Sequence, residues 1–313
     1  MAIVDDLSAR LRAIPAPLQA ALFMTAAAFC FSVMNVFVRL ATEEMAALQV
    51  AFFRNFFALM FLLPWLIRAG LEPLRTTRFK MHLLRSLFAL ATMITWFSAL
   101  ALLPLNEAVA LNFTVPLFAT AGAALILRET VRARRWTATA VGFLGTLIIL
   151  RPGFIEVTPA MALPVLAALF MACATLTVKT LSRTERASTV VLYMTLILTP
   201  LSFVPALFVW QWPDLETLGY LIGLGGTGTL AHLLMTIAFG KADASAVIPF
   251  DYARLPFVAV IAFFLFGGVP DRWTWLGAAV IAASAIYIAR REAKVAAGPP
   301  AGRAAGESPR ARP

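Results

Sequence analysis

The chain has 313 residues, of which 61% are hydrophobic and only 13% charged, and its net charge is +10. Soluble globular chains run roughly 45–50% apolar and about 25% charged, so too little polar material is present to coat a water-facing surface, and the composition disfavours a soluble enzyme, a secreted disulfide scaffold and a disordered protein. Two cysteines, Cys30 and Cys173, cannot build a disulfide framework, and two histidines, His82 and His232, give no metal-ligand cluster.

A helix needs about 20 mostly apolar residues to cross a bilayer. Runs of that order recur along the chain and predict ten spans, at 18–40, 48–68, 82–104, 107–127, 135–151, 159–180, 188–210, 216–239, 244–268 and 272–290. None alternates with the period of two that a barrel strand requires, so the spans are expected as helices, which satisfy their own backbone groups. The first run is too long for a cleavable signal peptide. Residues 1–17 form an N-terminal segment. From 292 to 313 the composition turns to Ala, Gly, Pro and Arg, which predicts a disordered, solvated tail.

Lys and Arg in the connecting loops set the orientation. With the N-terminus cytoplasmic, 20 of the 26 basic residues fall inside; Arg39, Arg151 and Arg272 fall outside, and Arg54, Arg85 and Arg254 lie within spans. Both ends are therefore predicted to be cytoplasmic. The positive charge reads as topological, facing an anionic leaflet, and nucleic acid is excluded as a partner.

The two halves echo each other at a spacing of about 140 residues. Asn35 to Arg39 corresponds to Thr175 to Lys179, Pro116 to Pro256, and Arg135-Trp136-Thr137 resembles Arg272-Trp273-Thr274. An odd number of spans per half predicts two inverted five-helix repeats, 18–151 and 159–291, a common ground plan of secondary transporters.

Several segments carry a family resemblance: Phe52-Phe53-Arg54, His82-Leu83-Leu84-Arg85, the stretch from Ala99 to Ala108, Pro116-Leu117-Phe118, Leu127-Arg128-Glu129, Arg135-Trp136, Gly142-Phe143-Leu144-Gly145, Arg151-Pro152-Gly153, and Pro249-Phe250-Asp251-Tyr252. With these, the chain resembles the drug/metabolite transporter superfamily in its ten-helix EamA-like branch, over about 15–291. The resemblance implies an all-α integral membrane fold and a permease or exporter in the inner membrane, multi-pass and without a cofactor. It would work by alternating access on a small polar organic metabolite such as an amino acid, S-adenosylmethionine or riboflavin. Three departures stand out: Arg128 where the family usually has Gly, Val269 where a Glu is usual, and Asp251 where a neutral polar residue is expected.

An ionisable group at membrane depth is costly unless paired or wet, so it is a functional candidate by default. Arg54, Asp251 and Arg254 are the leading substrate-binding candidates, and Asp251 and Arg254, three residues apart, can touch on one helix face. Either arginine could hold a carboxylate, with Asp251 holding an amine or a coupling proton; a structural ion pair is the competing account. Arg85 is expected to snorkel to the inner headgroups. Tyr252, Asn35, Asn112 and Trp96 follow as hydrogen-bonding or stacking candidates, with interhelical glue as the alternative. Glu107 joins Asp251 as an acid for coupling to a proton or counter-substrate. Glu129, beside Arg128 and Arg132, reads as a loop salt bridge, and His232 as a hydrogen-bonded core histidine. Pro116, Pro249 and Pro256 are expected to break spans 4 and 9, pointing to a central site.

Gly223-Leu-Gly225-Gly226-Thr-Gly228 matches G-x-G-x-x-G but lies inside an uncharged run, which reads as close helix packing and not as a nucleotide fingerprint. No G-x-x-x-x-G-K-[ST] occurs, so nucleotide-driven pumping by this chain is excluded. The small-molecule cargo and membrane lipids are the expected partners, with a monomer or homodimer as the assembly. An intramembrane enzyme or a lipid-handling protein remains the alternative class. Trp65, Trp210, Trp212, Trp273 and Trp275 are expected as interfacial anchors.

Overall fold

A computed structural model describes residues 14–70, 72–103, 111–112, 114–150, 158–266 and 272–296. The N-terminal segment, Glu107, the 151–157 and 267–271 links and the end of the tail lie outside the described residues. Among the described residues no strand occurs. The helices are α1 (Ala16–Glu44), α2 (Ala47–Ala69), α3 (Phe79–Leu102), α4 (Val115–Leu125), α5 (Ala133–Leu150), α6 (Ala162–Leu181), α7 (Ala187–Leu207) and α8 (Leu215–Lys241), followed by the single turn α9 (Ala244–Val247), α10 (Arg254–Phe266) and α11 (Arg272–Ala296). Five described helices, α1, α2, α6 with its leading 3-10 turn, α7 and α8, are long and apolar enough to cross a membrane. Phe208, Leu125 and Phe264 are among many large apolar side chains facing outward, which suits hydrocarbon and not water.

Polar side chains inside these helices answer to their own backbone. Thr92, Thr95, Thr199 and Thr229 hydroxyls each donate to the carbonyl one turn back, at 2.6–2.8 Å. An apolar medium offers no other partner for a hydroxyl. Asp214, outside the span, caps α8 by accepting from the Thr217 amide at 2.8 Å. The Thr217 hydroxyl and amide together hold the Asp214 carboxyl below its ordinary range.

Packing follows a paired pattern. α1 lies antiparallel along α8, with Gln19 accepting from Lys241 at one end and Phe37 against Gly223 at the other. α3 packs on α6, α2 on α7, and α5 on α11; α8 meets α2 as α3 meets α7, and α1 meets α10 as α4 meets α6. Small residues permit this. A Cβ on Gly223 would meet the Phe37 ring at 2.8 Å, and one on Gly226 the Phe61 ring at 3.1 Å. The G-x-G-x-x-G stretch is thus mid-helix in α8, where α1 and α2 approach.

Span 9, predicted as one helix over 244–268, is broken. α9 ends at Val247, a 3-10 turn runs over Ile248–Ala253, and α10 starts at Arg254. Pro249 lies at the start of that 3-10 turn, where its missing N–H costs little. Within span 4, residues 111–112 are helical and α4 begins at Val115, with Pro116 in its first turn.

One end of the broken span is fastened from the first half. Glu129 accepts from the Ala244 amide at 3.0 Å and from the Ser245 amide and hydroxyl at 3.1 Å, with Arg183 3.9 Å away. The expected salt bridge to Arg128 or Arg132 is replaced by backbone capping, because the carboxylate is turned inward and is only 4% exposed. Arg135 adds bonds to Asp243 at 3.2 Å and Ser245 at 2.8 Å. Lys179 is buried; its Nζ donates to the Phe239 carbonyl at 2.7 Å and to that of Ala242, at the carbonyl-rich end of α8.

Arg128 stands at φ 54, in the left-handed region, and the next amide turns back to the Ala123 carbonyl at 3.0 Å. A side chain there costs about 1 kcal/mol relative to glycine. Arg128→Gly is expected to raise stability by up to about 1 kcal/mol, read as a higher Tm of the detergent-solubilised protein; an unchanged or lower Tm would refute the strain.

Candidate functional site

Four elements bring ionisable groups together at the bundle centre. Arg54 projects from α2 about two turns from its start. It reaches across α8 where Gly228 leaves room: a Cβ there would lie 3.2 Å from Met34 Sδ and 3.5 Å from Arg54 Nε. Arg54 Nη2 stands 2.7 Å from His232 Nε2 on α8. A guanidinium only donates, so Nε2 accepts and the ring proton sits on Nδ1, which has no partner. Arg54 Nη1 also donates to Asn55 Oδ1 at 3.2 Å, and Asn55 is held by the Ala51 carbonyl at 3.0 Å and Ser202 of α7 at 3.2 Å.

Arg254 opens α10 and donates through Nη2 to Asp251 Oδ1 at 2.6 Å, both side chains one-fifth exposed. Asp251 lies in the 3-10 turn and not on the predicted α-helical face, yet the three-residue spacing still lets the pair touch. Phe31 of α1 joins the two groups. Its ring lies under the Arg254 guanidinium, 4.4 Å from the centroid, and meets His232 edge-on at 5.0 Å. Ser32 anchors the segment by donating to the Arg254 carbonyl at 3.0 Å.

Arg85 does not snorkel to the headgroups. It is 3% exposed, and its Nε and Nη1 have no hydrogen-bond partner. α3 packs between α6 and α7, which turns this face of the helix inward.

Other candidates lie elsewhere. Tyr252 is fully buried against Gly142 and Ile281, where a Cβ on Gly142 would strike its ring at 2.5 Å, so it packs toward α5 and α11. Asn112 donates to the Pro164 carbonyl at 3.5 Å, linking to α6. Asn35 is exposed on α1, and Trp96 is half-buried on α3. Pro256 falls in the first turn of α10, two residues from Arg254. Among the described residues no His, Cys, Asp or Glu cluster could hold a metal. Sequence reasoning missed Phe31, Ser32 and Asn55, which carry no charge to mark them. It placed His232 in the core without its partner, although a lone titratable group in an uncharged run was a signal.

An all-helical bundle that presents apolar side chains outward and gathers arginines at its centre is that of an integral membrane transporter. The profile of the EamA-like transporter family matches residues 18–151 and again 158–290. The chain belongs to that family, and it is a multi-pass inner-membrane transporter and not an enzyme. It is 40% identical to a riboflavin transporter of Vibrio cholerae over 89% of this chain and 95% of that protein. It is 37% identical to a riboflavin transporter of Rhizobium johnstonii over 87% and 91%, and 34% identical to an S-adenosylmethionine uptake transporter of Rickettsia bellii over 79% and 84%. A solved crystal structure shares the fold with a TM-score of 0.76 at 18% identity, covering 88% of this chain and 98% of the other.

His232→Leu removes the acceptor of Arg54 and leaves a desolvated guanidinium donor unmet. A loss of roughly 2 kcal/mol or more is expected, read as a lowered Tm in detergent. A Tm equal to wild type would show that the contact carries no stability. Gly228→Leu would displace Arg54 and is expected to cut transport at least tenfold at normal membrane levels; full transport would detach Arg54 from the cargo path.

Proposed function

We propose that the chain carries riboflavin, or a flavin of similar size, across the inner membrane by alternating access. The observation that carries this reading is the chain of contacts from Arg54 through His232, Phe31 and Arg254 to Asp251, which sets guanidinium donors and a carboxylate acceptor close together for a polar ring system. The named cargo of the relatives at 40% and 37% identity supports riboflavin as that cargo. S-adenosylmethionine is the second reading: Asp251 supplies a carboxylate for a sulfonium or amine, and a relative at 34% identity is named for that cargo.

The architecture we propose has ten spans in two inverted five-helix halves, both ends cytoplasmic. Exchange of the halves turns α1 on α8 into α6 on α3, and α2 on α8 into α7 on α3, so the packing pairs support the repeat. Within that frame Arg54, Asp251 and Arg254 bind the cargo, and Asp251 is the acid for any proton coupling.

Growth of a riboflavin-requiring bacterium lacking its own carrier, at limiting riboflavin, tests the reading, together with uptake of labelled riboflavin and S-adenosylmethionine. Riboflavin uptake is expected, and Asp251→Asn and Arg254→Ala should each lower it at least tenfold at normal membrane levels. Uptake of S-adenosylmethionine alone would select the second reading. Wild-type rates in both variants would remove the site assignment.

A further inference from the structure

Of the three arginines within the spans, Arg254 is engaged with Asp251 at 2.6 Å. Arg54 is met by a neutral ring acceptor and an amide oxygen. Arg85 is 3% exposed, with Nε and Nη1 unpartnered. Its own helix adds further unmet polar groups. His82 and Ser86, three residues before and one after, are fully buried, and both His82 ring nitrogens and the Ser86 hydroxyl lack partners. His82 stacks on Tyr193 of α7 with centroids 4.4 Å apart, which fixes the ring without satisfying it. His82 and Arg85 are one turn apart and share a helix face.

Buried donors around an uncompensated positive charge are costly to leave unmet, and most costly for a guanidinium. Orphaned groups of this kind call for a ligand that accepts hydrogen bonds and carries negative charge. The guanidinium fork matches two oxygens of a carboxylate or phosphate, and the Ser86 hydroxyl can add a further donor.

We propose that Arg85, with Ser86 and His82 on α3, forms a binding site for an anionic oxygen group, a carboxylate or a phosphate. The group arrives either on the cargo or as a free inorganic anion bound beside it. This rests on the transporter reading but not on the identity of the cargo.

The full chain, purified in detergent, is titrated with sodium phosphate replacing sodium chloride at constant ionic strength, and its Tm is followed. A saturable rise is expected in the wild type, since a ligand bound by the folded state alone stabilises it. Arg85→Met removes the unpaired charge at similar length. It is expected to raise the Tm without phosphate and to flatten the titration, while Ser86→Ala should weaken half-saturation several-fold. A flat wild-type titration, or one that Arg85→Met leaves unchanged, overturns the site. A fall in Tm for Arg85→Met without phosphate also overturns it, because Arg85 would then be a structural donor.

The source of the anion is separated by flavin binding, followed through flavin fluorescence. Flavin mononucleotide binding at least tenfold tighter than riboflavin places the charge on the cargo. Riboflavin binding that tightens tenfold with phosphate present places it on a free ion; either result supports the site. Saturable phosphate binding with no flavin bound or transported removes the flavin reading and leaves the anion site standing. Riboflavin binding with a flat phosphate titration does the reverse.

Discussion

The contact between Arg54 and His232 governs how the centre of this bundle is built. A guanidinium at membrane depth needs an acceptor, and the hydrocarbon around the bundle offers none. His232 supplies one at 2.7 Å, but only because α8 has no side chain at Gly228 to hold the two helices apart. The glycine run that resembles a nucleotide fingerprint therefore has a different physical purpose. It brings α1 and α2 close enough to α8 for a short polar contact to form inside an apolar bundle.

Phe31 extends that contact to the second half of the chain. One ring meets His232 by its edge and carries Arg254 on its face. The quadrupole of an aromatic ring favours both arrangements, a positive charge over the face and a ring at the edge. The site thus joins α2, α8 and α10 through a residue of α1, with Ser32 fixing the backbone at Arg254. Tyr252, next to Asp251 in sequence, contributes on the opposite side, filling the space over Gly142 against α5.

Much of this was legible in the sequence, and for stated reasons. Apolar runs give helices because no other arrangement satisfies the backbone in hydrocarbon. The spacing of Asp251 and Arg254 permitted their pairing, even though a 3-10 turn and not an α-helix delivers it. What the sequence withheld was direction. An apolar helix is nearly uniform around its circumference, so nothing in α3 says which face turns inward; Arg85 was read as reaching for headgroups and is buried instead. Glu129 was paired with its sequence neighbours when its partners, the amides of Ala244 and Ser245, lie over a hundred residues away. Phe31 had no signal at all, because its role depends on two partners that only the fold brings to it.

The break in span 9 relates these contacts to movement. On one side of it, α9 is held to the first half of the chain by Glu129 and Arg135. On the other, α10 begins with Arg254 and is held to α1 by Ser32 and Phe31. A continuous helix would transmit any displacement of its end rigidly along its axis. A 3-10 turn with a proline has fewer backbone bonds to break, so it can absorb rotation locally. In the alternating-access reading, a shift of α4 and α5 pulls α9 through Glu129, and the turn converts that pull into a change in how Asp251 and Arg254 face Arg54. The acid and its arginine sit at the joint itself, which is where a small backbone rotation changes a side chain's direction most.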